Sequence, residues 1–507
     1  LNGRGVLVGI IDTGIDYLNK EFQREDDTTR IVRIWDQTIQ GNKEIYSLKY
    51  GTEYTEDQIN QAIRLQASGG DPYSIVPSKD DIGHGTRMAG IIGGRGINPD
   101  LKGAASDCQF IIVKLSRATK VELDVAVIDK TDVPSYSPWS ALLALRYIIA
   151  VARELKRPVV VFEPLGSNMG SHTGNGIVER AINNYSIQSG TVVVVPTGNQ
   201  GNTDTHTEGI IENVGDVKDI EIRIGEKQRN LPIEIWVNKP NRVKLSIVSP
   251  SGEMIDDLEA KNTNNERIKF LYEGTEMIVN FTSPELSTGD SLIFIRAYNL
   301  KAGIWKFRLT GQYIVEGKYY AWIPQRELLD SETKFLNSVG YTTLTLSSTS
   351  NRAISVAYYN QEDNSVVTES GRGYTRDKMI KPDIAAGGFN AIVTNPGGGT
   401  AVISGASVAG AVVAGCCALI LQWAVTDKNY PDIYAEQIKA YIISGAKGRP
   451  GDVYPNKEWG YGMLDMKGIF DRIKDTYNPR KSEDYEEYRV NNLFIRIPKS
   501  RYNRTIN

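Results

Sequence analysis

Cysteine is almost absent from this sequence. Among 507 residues only Cys108, Cys416 and Cys417 carry a thiol. Two of them are adjacent and poorly placed to bridge each other, so no disulfide framework holds the chain. Histidine is equally scarce: His84, His172 and His206 are the whole set, which argues against a multi-histidine metal site. Charge of one sign is also missing. The net charge is −3, which gives no electrostatic footing for nucleic acid or an anionic membrane. With 40% hydrophobic and 23% charged residues, usage is that of an ordinary globular protein, and disordered, collagenous and low-complexity readings fall away. The length exceeds what one compact core carries, so a large domain plus at least one more is expected. The first residue is Leu1, and no basic stretch followed by an apolar one opens the chain; no signal peptide is visible. One uncharged apolar stretch, from Ala406 to Val425, is long enough to span a membrane. It is rich in Gly and Ala, contains Gln422 and stands alone, so it reads as a buried central helix and no membrane span is expected.

Short apolar runs read as fully buried parallel strands: Val6–Asp12, Phe110–Leu115, Val159–Phe162 and Thr191–Val195. Helical patterns lie between them, clearest over Trp139–Leu155 and weaker over Gly176–Ser189. Strands alternating with helices argue an α/β, doubly wound, mostly parallel sheet. The pattern changes from about Ile210 to Pro324. There, strands such as Ile220–Ile224, Ile233–Val237, Val243–Val248, Met277–Phe281, Leu292–Ala297 and Trp305–Leu309 are separated by turn residues, the mark of a β-sandwich or jelly roll. After about Ser338 the α/β style returns, with a strand at Ala353–Tyr359 and helices at Ser407–Ala424 and Pro431–Ser444. The expected organisation is a first α/β part over 1–208, an inserted all-β domain over 209–335, a second α/β part over 336–477 and a C-terminal extension over 478–507.

Four residues stand in positions where chemistry is done. Asp12 ends a buried strand, and sites in open α/β sheets form at the carboxyl ends of strands; a turn-capping Asp would look the same. His84 sits between two glycines that let backbone approach closely, at the start of an apolar helical pattern; a structural loop histidine is the alternative. Ser407 opens the apolar helix, near free N–H groups and the positive end of its dipole, although an N-cap serine is the commoner role and Ser404 is a rival. Asn199 ends another buried strand, and its amide can donate to an oxyanion or simply build a turn. Acyl transfer needs a nucleophile, a base, a carboxylate to orient that base and an oxyanion donor. The order Asp, His, Ser along the chain is one of the known arrangements of that set.

At this point the sequence resembles the subtilase family of serine proteases. Ile11-Asp12-Thr13-Gly14, Gly83-His84-Gly85-Thr86 and Gly405-Ala406-Ser407-Val408-Ala409 match its three signatures, and Thr197-Gly198-Asn199 matches its oxyanion block. Ser370-Gly371-Arg372-Gly373, Lys381-Pro382-Asp383-Ile384 and Gly460-Tyr461-Gly462-Met463-Leu464 look like further family blocks. The resemblance implies a subtilisin-like sheet, Ser407 as nucleophile, His84 as general base and then acid, and Asp12 orienting the imidazole. It implies Asn199 and the Ser407 N–H as the oxyanion hole. Pro164-Leu165-Gly166 looks like the block that pairs substrate backbone, making Leu165, Gly166 and Gly198 candidates for substrate binding. No cofactor and no metal are expected; Asp80-Asp81 and Glu362-Asp363 read as solvated turns.

The sequence departs from the family in three ways, besides an enlarged interval of 72 positions between Asp12 and His84. Ala406 stands where Thr is usual, Ala411-Val412 where Pro-His is usual, and a β domain separates Asn199 from Ser407. The first two put the start of the serine helix in question. The third, with Arg33-Ile34-Trp35-Asp36-Gln37 and Tyr320-Ala321-Trp322-Ile323-Pro324, resembles the clostridial Csp-type subtilases, which act in spore germination on the pro-form of a cortex-lytic hydrolase. That resemblance implies a protein substrate, a cleaved propeptide that can stay bound, and a spore location; outside that branch a secreted protease is expected. A non-catalytic regulator on the same fold is the alternative, because some members of the branch have a broken triad.

Overall fold

The computed structural model describes residues 1–41, 45–259, 265–477, 485–490 and 493–498. Its centre is the strand Leu7–Asp12, in which all six residues are buried. A buried parallel strand needs apolar side chains on both faces, and LVGIID supplies them. Val8 and Ile10 enter one apolar cluster while Leu7 and Ile11 enter the other. The strand pairs in parallel with Gln109–Lys114 on one side and Val159–Phe162 on the other. The full order across the sheet is Ser365–Val366, Ile354–Asn360, Thr191–Pro196, Val159–Phe162, Leu7–Asp12, Gln109–Lys114, Ile31–Asp36 and Thr52–Thr55, with Ile384–Gly387 also paired to Ile354–Asn360. Only the pairings of Thr52–Thr55 and Ser365–Val366 are antiparallel.

Helices cover both faces. His84–Gly93, Ala406–Leu421 and Ala435–Gly445 share a core with Val8, Ile10, Ile112 and Val160. Pro138–Leu155 and Ile177–Tyr185 cover Leu7, Ile11, Val161 and Val193. The apolar helix runs on as a π turn to Thr426; the whole stretch has the length and hydropathy of a membrane span, and 78% of its most apolar window is buried inside this fold. It is hydrophobic all round because it has protein on nearly every side. The stretch between Ile31–Asp36 and His84 adds an edge strand and the helix Glu56–Ala67, which Thr55 and Gln58 start with a reciprocal capping box. The helix expected from Pro431 begins later, at Ala435.

The β segment forms two antiparallel sheets. One has the order Met254–Glu259, Arg242–Val248, Gly303–Tyr313, Val217–Ile224, Lys334–Phe335; the other has Asn265–Lys269, Glu276–Thr282, Ser291–Tyr298, Leu231–Val237, Lys318–Trp322, His206–Ile210. Strands of both sheets, through residues such as Ile222, Leu245, Trp305, Val279 and Ile295, fill one apolar core, the packing of a sandwich. This sandwich interrupts a single crossover. The strand before it, Thr191–Pro196, and the strand after it, Ile354–Asn360, are parallel neighbours in the large sheet. The sandwich's two ends meet where the Phe335 N–H donates to the Asp204 carbonyl at 2.9 Å. The expected extension 478–507 lies largely outside the described residues; within it Tyr485–Val490 and Leu493–Pro498 pair antiparallel.

Candidate active site

Asp12 closes the central strand and is fully buried. Its carboxylate accepts the Thr13 N–H at 2.7 Å and faces His84 Nδ1, 2.9 Å from Oδ1 and 2.8 Å from Oδ2. That contact places the proton on Nδ1 and leaves Nε2 as the basic atom. The His84 side chain remains 31% exposed while Asp12 is at 0%, so the pair has one dry end and one open end. Burial pushes the imidazole pKa down, but the charge of Asp12 and its hydrogen bond outweigh burial and hold His84 above the ordinary histidine value.

Glycine permits this approach. Gly85, directly after the histidine, lies so close to the Asp12 turn that a Cβ there would stand 2.1 Å from the Gly14 carbonyl and 3.2 Å from Asp12 Cβ. Gly83, directly before it, has φ +85°, the left-handed region that favours glycine.

A residue that the sequence reading took for a solvated turn fixes the geometry. Asp80 is buried. Its Oδ1 accepts the Thr13 hydroxyl and the Gly83 N–H, both at 2.7 Å. Its Oδ2 accepts the Thr86 N–H at 2.8 Å and the Thr86 hydroxyl at 2.7 Å. Thr13 Oγ1 in turn accepts the Gly85 N–H at 2.9 Å. One carboxylate therefore caps the histidine helix and ties it to the residue after Asp12. Both of its oxygens are spent on protein donors. No local pattern marks this role: the N-cap position itself is Gly83, three residues further on. Its neighbour Asp81 is exposed, as expected, and pairs with Lys114 at 3.4 Å.

Ser407 is the second residue of the helix Ala406–Leu421 and is half-buried. The start of that helix is well made despite Ala406. Gly405 N–H donates to the Gly388 carbonyl at 2.9 Å, and Ala406 N–H donates to Asn199 Oδ1 at 3.0 Å. This second bond orients the Asn199 amide. Its carbonyl end is pinned, and its exposed NH₂ end has no hydrogen-bond partner among the described residues and is free to donate. The structure thus brings Asp12 to His84 and Asn199 to the serine helix. The two helices carrying His84 and Ser407 pack in one core through Met88, Ala89, Ile92, Val408 and Ala409, and no hydrogen bond joins the Ser407 and His84 side chains among the described residues. Such bonds often tighten only when substrate binds.

Two of the three candidate substrate residues, Gly166 and Gly198, also converge. Gly166 is exposed, and Leu165 and Gly198 are half-buried. Gly166 and Gly198 both lie against Thr345: a Cβ on either would meet its side chain at 2.5 Å and 2.4 Å. His172 and His206, which had no catalytic frame in the sequence, are buried and stacked on Trp322, at 4.1 Å and 4.4 Å between ring centroids.

The subtilase family model matches residues 3–218 and 335–462. The chain belongs to the subtilase family. The match leaves aside the segment between, which carries most of the sandwich. This subtilase is 30% identical to the Clostridium perfringens CspB protease, whose solved structure superposes with a TM-score of 0.83 over 95% of this chain and 94% of that one. It is therefore similar to that protease over nearly all of its length, sandwich included. It is also 23% identical to the PI-type proteinase of Lactococcus lactis subsp. cremoris and to the PII-type proteinase of Lacticaseibacillus paracasei, over 93% of this chain. The chain spans only 26% of the length of each.

Proposed function

We propose that this subtilase is a serine endopeptidase. Ser407 Oγ attacks the peptide carbonyl while His84 Nε2 takes its proton. His84 then returns that proton to the leaving amine, and a water activated by the same nitrogen releases the acyl group from Ser407. Asp12 holds the ring and stabilises the imidazolium. Asn199 Nδ2 and the Ser407 N–H stabilise the oxyanion, helped by the positive end of the serine helix. The observation that carries this reading is the pairing of a fully buried carboxylate with Nδ1 of a part-exposed histidine at 2.8 Å. The serine-bearing helix packs against the histidine helix, and its first N–H is held by Asn199. The substitution Ser407→Ala tests it. Hydrolysis of a protein substrate should vanish with the fold unchanged; retained turnover contradicts the assignment.

The finer reading follows the likeness to CspB. We propose a Csp-type role in the spore, with the pro-form of a cortex-lytic hydrolase as substrate and a cleaved propeptide that stays associated. The support is the shared architecture, inserted sandwich included. Incubating the protein with such a pro-enzyme and mapping the cut by mass spectrometry tests it, with Ser407→Ala as the control; an uncut pro-enzyme contradicts the role.

A further inference from the structure

The sandwich rejoins the large domain beside the site. After the strand Lys318–Trp322 the chain passes Pro324 and makes one short 3₁₀ turn, Arg326–Leu328. Three separate segments are tied to three consecutive residues there. Gln325 Nε2 donates to the Gly166 carbonyl at 2.6 Å. Arg326 N–H donates to Gln200 Oε1 at 2.9 Å, and Gln200 Nε2 donates back to the Glu327 carboxylate at 3.1 Å. Lys130 Nζ donates to the Glu327 carbonyl at 2.9 Å. Gly166 lies in the segment that leaves the strand Val159–Phe162. Gln200 directly follows Asn199. Lys130 lies in the long connection between Gln109–Lys114 and Pro138–Leu155.

A second tier stands behind the first. Asn168 Nδ2 donates to the Ile323 carbonyl at 3.4 Å and to Thr205 Oγ1 at 3.2 Å. The Asn168 carbonyl meets His172 Nε2 at 2.7 Å, and the His172 ring lies on Trp322 of the sandwich. The segment from Gly166 to His172 is therefore held from the sandwich side at both of its ends.

We propose that Gln325–Glu327 is a positioning element for the peptide substrate, and that through it the inserted sandwich sets the spacing between the Gly166 segment and the Asn199 segment. This rests on the serine endopeptidase reading. A peptide lying along Gly166 keeps its scissile carbonyl at Asn199 only while the two segments hold one spacing, and small misplacements are costly in acyl transfer. The contacts made by Gln325 and Lys130 are also in the wrong place to serve chiefly as a fold brace. Gly166 and Glu327 are exposed, and single hydrogen bonds at a wet rim add little to stability. Their loss should therefore appear in substrate handling before it appears in folding.

The test compares a short and a long substrate on the full chain. An activated ester of a single acyl residue reaches Ser407 without spanning Gly166; a hexapeptide spans it. For Gln325→Ala, kcat/KM on the hexapeptide should fall about threefold to tenfold, the worth of one hydrogen bond, chiefly through kcat, because a misplaced carbonyl still binds but reacts more slowly. Gln325→Glu, which turns a carboxylate toward the Gly166 carbonyl, should fall further, and Lys130→Ala should show a smaller loss. The ester rate and the unfolding midpoint should stay at the wild-type values in all three. Equal losses on ester and hexapeptide, a loss that tracks a lowered unfolding midpoint, or no loss on the hexapeptide would each overturn the proposal. Wild-type protein inactive on both substrates would overturn the endopeptidase reading and this inference with it.

Discussion

Replacing Asp80 tests whether the histidine is held or merely present. The carboxylate accepts four hydrogen bonds: two from hydroxyls, Thr13 and Thr86, and two from the backbone, Gly83 and Thr86. In Asp80→Ala the hydroxyls can turn to other acceptors. The two backbone N–H groups cannot, and each unsatisfied buried donor costs about 1–3 kcal/mol. The expected loss is therefore about 2–6 kcal/mol, at or above the usual cost of losing a helix cap. Asp80→Asn keeps one acceptor oxygen but turns an NH₂ toward donors, so an intermediate loss is expected. Activity should fall with stability, because Thr13 and Gly85 are joined through the same network and the histidine helix is free to shift from Asp12. Negative charge on Asp80 also helps to hold His84 in its protonated form, so in Asp80→Asn the acid limb of kcat/KM should move to lower pH. The assays are denaturant unfolding followed by fluorescence and a pH series of peptide hydrolysis. An Asp80→Ala variant with wild-type midpoint and wild-type kcat would refute the reasoning.

Other outcomes follow from the same geometry. Asn199→Ala should lower kcat about 10²–10³-fold with little change in KM, measured by steady-state peptide hydrolysis. Asp12→Asn should lower kcat by about 10⁴-fold by favouring the wrong imidazole tautomer. Because His84 is held above the ordinary value chiefly by Asp12, wild-type kcat/KM should lose its acid limb at a midpoint above about 6.5, and residual activity of the variant should titrate lower. His172 is pushed down to about 3 by burial. Its folded pKa lies below its unfolded value, so the unfolded chain gains the proton first and stability is lost as pH falls from about 6.5 toward that value. In His172→Phe, which keeps the stack on Trp322, the unfolding temperature should decline less than wild type between pH 7 and pH 5.

Much of the large domain was legible because its signals are local. Runs such as VVVF at Val159–Phe162 can hardly be anything but buried strands, and glycines around His84 mark a close approach before any partner is known. The order of Asp12, His84, Asn199 and Ser407 adds chemistry to those positions. The edge strand Thr52–Thr55 and the helix Glu56–Ala67 were less legible. Their buried residues are few, so the apolar period that reveals an element is weak. Asp80 escaped because its four partners come from residues 13, 83 and 86, and only folding puts Thr13 beside the turn. The turn at Gln325–Glu327 was beyond reach for the same reason in stronger form. Nothing local in Gln325 foretells a bond to Gly166, which is far away in the chain. The buried stack of His172, His206 and Trp322 likewise joins three segments that only the insertion brings together.

The central claim is that Ser407 is a working nucleophile activated by His84. The direct measurement is covalent labelling with a fluorophosphonate, followed by peptide mass mapping of the modified residue. Modification is expected at Ser407 in the wild-type chain, at a strongly reduced rate in His84→Ala, and not at Ser404. A well-folded wild-type protein that stays unlabelled, or that labels as fast without His84, would contradict it.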